Sequence, residues 1–127
     1  MTLTVFVDTN AWMAVGQHKL SLFEEIERLC GNASIFILQG TITELQKIQD
    51  VSKGKDKIAA KLALQIIDQK LTKKQLHLRP SEGYVDDLLV EESQKGALVV
   101  TADFVLQKRL KKPFIIVKQH KFLALKE

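Results

Sequence analysis

The chain has 127 residues, near the commonest domain size, so one compact domain spanning 1–127 around a single apolar core is the simplest organisation. Hydrophobic residues at 46% and charged residues at 27% are ordinary globular usage and exclude a largely disordered chain. The formal charge of +4 tilts the expectation gently toward polyanionic partners.

Taken in chain order, the first predicted element is a short β-branched run over residues 3–7, which stops abruptly at Asp8 in the stretch VFVDTN. A second apolar run covers residues 34–38. Thr41 followed by Glu44 has the spacing of a capping box, and Ile42, Leu45, Ile48 and Val51 continue an apolar stripe. A helix is therefore expected just after the second strand, with Glu44 in its first turn. Ser52-Lys53-Gly54-Lys55 reads as a mobile loop. Beyond it, Ile58, Leu62 and Ile66 recur every four residues with Ala59, Ala63 and Ile67 beside them. That pattern predicts an amphipathic helix near 56–71, packed on the sheet with a lysine-bearing outer face. A third strand is expected over 76–79. Ser81 and Gly83 then precede Tyr84-Val85-Asp86-Asp87, the start of another helix. A fourth strand over 97–101 turns at Ala102-Asp103 into a helix ending in Arg109, which Pro113 closes, and a last strand covers 114–117. Strands alternating with helices favour a parallel sheet covered on both faces.

Asp8, Glu44, Asp86 or Asp87, and Asp103 each follow the carboxyl end of a different predicted strand. In open doubly wound sheets that edge binds ligands, in the crevice where the strand order reverses. Two carboxylates about 4 Å apart repel by roughly 1 kcal/mol in water and about 4 kcal/mol at an effective dielectric of 20. Several gathered together require cations. Oxygen donors suit Mg²⁺ or Mn²⁺, which bind through a few carboxylates and substrate phosphate oxygens.

The ordered set VFVDTN, TELQKI, GYVDDLLVE and VVTADFVLQKRL resembles the PIN-domain nucleases over essentially the whole chain. It is especially similar to the PIN branch of ribosomal RNA maturation, which has an ELxKL-like helix, a basic loop, a helix like AAKLALQII and a YxDD segment in series. The resemblance implies a three-layer α/β/α sandwich with a central, mostly parallel sheet of about five strands. It also implies an acidic metal site and cleavage of single-stranded RNA dependent on Mg²⁺ or Mn²⁺. Carried over by position, Asp8, Glu44, Asp86 and Asp103 match the catalytic acids. Asp8, Asp86 or Asp87, and Asp103 match metal ligands, and Asn10 and Thr101 match supporting polar neighbours. Helical phase about Leu89 turns Asp86 toward the core side and Asp87 nearly opposite, so Asp86 is the preferred ligand and Asp87 the alternative. Lys53, Lys55, Arg109 and Lys112 are expected to track RNA at the rim. The chain departs from the family at Ala102, often asparagine there, and at Val105, often an acid.

Each choice has a plainer counterpart. Asp8 is also a credible helix N-cap, Glu44 a capping-box partner, Asp87 a solvated acid at a helix start, and Asn10 and Thr101 turn residues. Trp12 and Tyr84 read as packing more readily than as base-stacking groups. His18, His77 and His120 have no ligand spacing, and Cys30 has no partner for a disulfide or zinc. No glycine-rich phosphate loop, basic-then-apolar leader or membrane-length apolar run occurs, so a cytoplasmic protein with no membrane partner is expected. The expected partners are single-stranded or structured RNA, with a homodimer, a pre-ribosomal particle or an antitoxin as further alternatives. Three functions are consistent with this reading: an RNA-processing endonuclease, the ribonuclease toxin of a toxin–antitoxin pair, and an RNA-binding PIN protein without activity.

Overall fold

The structure is a computed structural model that describes residues 2–127. Strands β1 (Thr4–Val7), β2 (Ser34–Leu38), β3 (His77–Arg79), β4 (Leu98–Thr101), β5 (Phe114–Lys118) and β6 (Phe122–Lys126) form one sheet. Helices α1 (Thr9–His18), α2 (Leu22–Cys30), α3 (Gln39–Val51), α4 (Lys55–Thr72), α5 (Val85–Gln94) and α6 (Phe104–Gln107) connect them. The strand order is β3-β2-β1-β4-β5-β6, parallel throughout except that β6 runs antiparallel to β5. The sheet thus has six strands rather than about five.

Period-2 alternation distributes each central strand between two cores. Val5, Val7, Ile35, Ile37, Leu98, Val100 and Ile115 meet Ala11, Trp12, Leu45, Ala63 and Ile67 on one face. Phe6, Leu38, Val99 and Phe114 meet Val85, Leu89, Leu106 and Leu110 on the other. Burial on both faces is what makes these strands read as continuous apolar runs.

Helix α4 differs from its expected seating. It packs against α1 and α3, and its buried stripe is Ala59, Ala60, Ala63 and Ile67, while Ile58 and Leu62 face outward. Small residues win that face because the helices approach so closely. A Cβ on Gly16 of α1 would lie 2.2 Å from the Ala59 carbonyl oxygen, so α4 seats where only glycine and alanine fit.

Two further elements complete the fold. Helix α2 carries Leu22 and Ile26 inward and packs on β6. There Glu25 accepts a hydrogen bond from the Leu123 N–H at 2.9 Å, and Arg28 donates to the Leu123 carbonyl at 2.7 Å while pairing with Glu25 at 2.8 Å. Among the described residues no helix is long and apolar enough to cross a membrane.

Candidate active site

The strand order reverses between β1 and β4, where β1 also pairs with β2. Asp8 is the single residue between β1 and α1, so its position is fixed by both. Its N–H donates to the Val100 carbonyl at 2.9 Å, and its own carbonyl accepts from Ala11 and Trp12 in the first turn of α1. The carboxylate is therefore held at the carboxyl edge of the sheet, at the switch point.

Around it lies a pocket of about 430 Å³, lined by Asp8, Thr9, Asn10, Met13, Glu44, Lys47, Ile48, Asp86 and Asp103. Four carboxylates from four chain segments share this space. Glu44 and Asp86 reach the same rim because α3 and α5 begin in close contact: the Gly40 N–H donates to Ser81 Oγ at 3.1 Å, and a Cβ on Gly40 would lie 2.8 Å from a Val85 methyl. Other hollows of about 590 and 630 Å³ exist, but their acids, Glu24 and Glu27 in one and Asp56 in the other, are matched by as many lysines, whereas here four acids face the single Lys47. Composition, not volume, distinguishes the pocket at the switch point.

Asp8 is 4% exposed. Its Oδ1 accepts from the Thr9 N–H at 2.7 Å, and its Oδ2 accepts from the Thr101 hydroxyl at 3.0 Å. Thr101 in turn accepts from the Asp103 N–H at 3.0 Å, while Asn10 Oδ1 accepts from the Ala102 N–H at 3.0 Å. Asp103 caps α6 through the Val105 N–H at 2.8 Å. Asn10 and Thr101 thus tie the β1–α1 link to the β4–α6 link, and the caps and the site are the same atoms.

Burial raises the Asp8 carboxyl to a pKa of about 6; the bonds from Thr101 and Thr9 oppose that rise, and the negative charges of Asp86 and Glu44 add to it. An all-oxygen donor set around a carboxylate held so reluctantly ionised fits a hard divalent cation such as Mg²⁺ or Mn²⁺. Among the described residues no three acidic, histidine or cysteine side chains form a ready ligand cluster. Asp8 is the fixed member; Glu44 and Asp86 are exposed and Asp103 half-buried.

The remaining residues separate into distinct places. Glu44 is no capping-box partner, because α3 already begins at Gln39, leaves Thr41 inside the helix, and lets Glu44 accept a hydrogen bond from the Thr9 hydroxyl instead. Asp87 is absent from the lining of the pocket and pairs with Arg109 at 2.7 Å. Lys112 is exposed. Lys53 and Lys55 are not brought to the pocket: Lys55 lines a separate hollow with Gln17 and His18 at the far end of α1, roughly 15 Å from Asp8 along the helix. The helix after β4 ends at Gln107, two residues short of Arg109. Trp12 is fully buried, whereas Tyr84 is 82% exposed, opposite to a packing role.

Lys47 was not singled out by sequence. It follows Glu44 by three residues on α3, a spacing that puts both on one helix face, so the TELQK run carried the signal. His18 and His120 stack with ring centroids 4.0 Å apart, far apart in sequence and invisible to it.

A profile of the family described as a PIN like domain matches residues 5–120. The chain belongs to that family. Among solved structures, this PIN-like chain is similar to the PIN domain endonuclease Utp24, with 25% identity, a TM-score of 0.74, and coverage of 97% of this chain and 90% of the other. It is 27% identical to Ribonuclease VapC9 of Archaeoglobus fulgidus over 106 residues, 83% of this chain and 73% of the relative. VapBC2 from Rickettsia felis, bound to a DNA fragment from its promoter, shares the fold with 19% identity, a TM-score of 0.54, and coverage of 85% and 96%. The mostly parallel PIN-like α/β fold is thus shared with these solved structures.

Proposed function

We propose that this PIN-like protein is a divalent-metal-dependent endoribonuclease hydrolysing phosphodiester bonds of RNA in the cytoplasm, with ribosomal RNA processing as its role. The single observation that carries the reading is the pocket at the switch point shared by Asp8, Glu44, Asp86 and Asp103. Likeness to a PIN domain endonuclease and to a ribonuclease supports the same chemistry.

Asp8, Asp86 and Asp103 would hold Mg²⁺ or Mn²⁺, which when bound supplies Lewis acidity to a phosphate and lowers the pKa of water. Thr101 fixes Asp8 Oδ2, and Asn10 holds the Ala102 amide so that Asp103 stays beside it. Lys47 lines the acidic pocket without an ion-pair partner among the described residues, so its ammonium is available to a phosphate oxygen. Arg109 and Lys112 would track the backbone close to the β4–α6 side, with Lys53 and Lys55 further along the strand, and binding would weaken steeply with salt. The long lysine-bearing α4 supports the processing role over the toxin reading, for which a small antitoxin bound over the pocket would be the mark.

Labelled single-stranded RNA incubated with Mn²⁺ tests the reading. The natural chain should cleave it, and the chelated chain and Asp8→Asn should not. Equal behaviour of all three would overturn it.

A further inference from the structure

Two aromatic side chains that stand almost fully in water adjoin, along the chain, acids of the pocket. Tyr84 is 82% exposed and Phe104 79%, while Trp12, Phe6 and Phe114 are buried. A lone exposed ring needs no explanation, but these two are placed by the site itself. Tyr84 is the residue before α5 and lies two positions from Asp86; Phe104 opens α6 and is bonded to Asp103. Helices α5 and α6 lie in one layer, share a core through Leu89 and Leu106, and are tied by the Asp87–Arg109 pair at 2.7 Å. Each exposed ring is thus carried by the segment that delivers one acid of the pocket, Asp86 for Tyr84 and Asp103 for Phe104, with Val105, 69% exposed, next to Phe104.

We propose that Tyr84 and Phe104 form a stacking platform for unpaired nucleobases of an RNA strand whose backbone crosses the acidic pocket. The platform deepens the nuclease reading and rests on it for the path of the backbone. The surface chemistry favours RNA over a protein partner. Phe104 is followed by the exposed Lys108, Arg109, Lys111 and Lys112, cations for a phosphate backbone, whereas a protein-docking core is apolar and depleted of charge. Aromatic faces beside basic residues are what single-stranded nucleic acid uses, because every base offers a π-face regardless of sequence. The consequence is selection by strandedness: a paired base has no free face, so a duplex gains nothing from the two rings. Val105, where the family often has an acid, extends the apolar surface instead of adding charge.

The test uses a single-stranded oligoribonucleotide carrying 2-aminopurine, titrated with the chain in excess chelator so that no cleavage is read. The natural chain should quench the fluorophore. Tyr84→Ala and Phe104→Ala should each weaken binding about tenfold and reduce the quench. Tyr84→Phe and Phe104→Tyr should restore both, and Leu at either position should not. The duplex form should bind the natural chain no more tightly than the alanine variants do. Both rings are exposed, so the variants should melt with the natural chain. Unchanged binding by the alanine variants, or no quench with the natural chain, overturns the platform. Full restoration by leucine also overturns it, because an apolar contact without a π-face would then suffice. A chain that quenches without ever cleaving RNA in Mn²⁺ keeps the platform and loses the nuclease reading; one that cleaves but ignores loss of the rings does the reverse.

Discussion

Two carboxylates are displaced in opposite directions. Asp8, at the switch point, is raised to about 6 by burial; Glu25, at the contact of α2 with β6, is lowered to about 2 by Arg28 and by the Leu123 N–H. Glu25 meets a cation and a donor that the fold itself provides. Asp8 meets two hydrogen bonds and, nearby, more negative charge. The first arrangement holds two elements together, and the second holds in place a charge for which the fold supplies no paired cation among the described residues. A carboxylate kept against its own solvation is thereby informative about chemistry, while a well-paired one is informative about architecture.

The largest expected effect breaks this comparison on activity. Asp8→Asn removes the fixed anionic ligand while keeping the size of the side chain, and cleavage of single-stranded RNA in Mn²⁺ should fall by about 10³-fold or more. Glu25→Gln should leave the cleavage rate unchanged. Similar losses in both variants would erase the distinction.

Next in size is Lys47→Met, which keeps the stem and removes the ammonium from the acidic pocket. A lost charge-assisted contact to phosphate is worth about 1.5–3 kcal/mol, so kcat/KM should fall roughly 10- to 100-fold. Unchanged kcat/KM would make Lys47 a solvated helix residue and nothing more.

The metal-free protein should show the comparison in its stability. With its folded pKa raised above 3.8, Asp8 binds its proton more tightly when folded, so its ionisation lowers stability progressively as pH rises from about 3.8 and fully above about 6. In chelator at pH 7, Asp8→Asn should be more stable than the natural chain by about 1–3 kcal/mol, because an amide carries no charge to desolvate. Thr101 can accept from the new amide and turn its own hydrogen toward Asn10 Oδ1, 3.4 Å away. Added Mn²⁺ should raise the melting temperature of the natural chain and not of the variant. A variant less stable in chelator would mean that the Thr9 and Thr101 bonds outweigh the burial of charge.

How much of this was legible in sequence follows from which forces act locally. Strands buried on both faces show as apolar runs, so β1, β2, β4 and β5 were readable at their positions, and Asp8 and Asp103 were readable as polar stops at strand ends. The helix after β2 was readable, its start was not: Thr41 and Glu44 fit a capping box locally, but Glu44 is drawn across to Thr9, thirty-five residues away, which no local spacing reports. The buried face of α4 was misjudged because Ile58 and Leu62 outrank alanines in hydrophobicity, while the close approach at Gly16 decides the packing. Strand β6 was hidden because its hairpin turns at Gln119 and His120, both with positive φ and neither the Asn-Gly pair that marks such turns. The exposure of Tyr84 was out of reach for the same reason: whether a ring packs depends on the neighbours the fold delivers.

The smallest expected effect sharpens the comparison from the architectural side. Glu25 and Arg28 bracket both backbone groups of Leu123, so α2 is fastened to the edge strand by a charge pair that also completes two hydrogen bonds. Because the folded pKa of Glu25 lies below its ordinary 4.5, its contribution is present above that pH and is lost as pH falls through about 2. Glu25→Gln keeps an oxygen for the Leu123 N–H but leaves Arg28 without its counter-charge, so the variant should melt below the natural chain at pH 7. The pair stands partly in solvent, which limits the gap. That gap should narrow between pH 4.5 and 2, the range in which the natural carboxylate takes up its proton, and added salt should narrow it at pH 7. Equal melting at pH 7 would show that Leu123 and Ile26 hold α2 to β6 by packing alone, and that charge in this chain is arranged for the pocket and not for the fold.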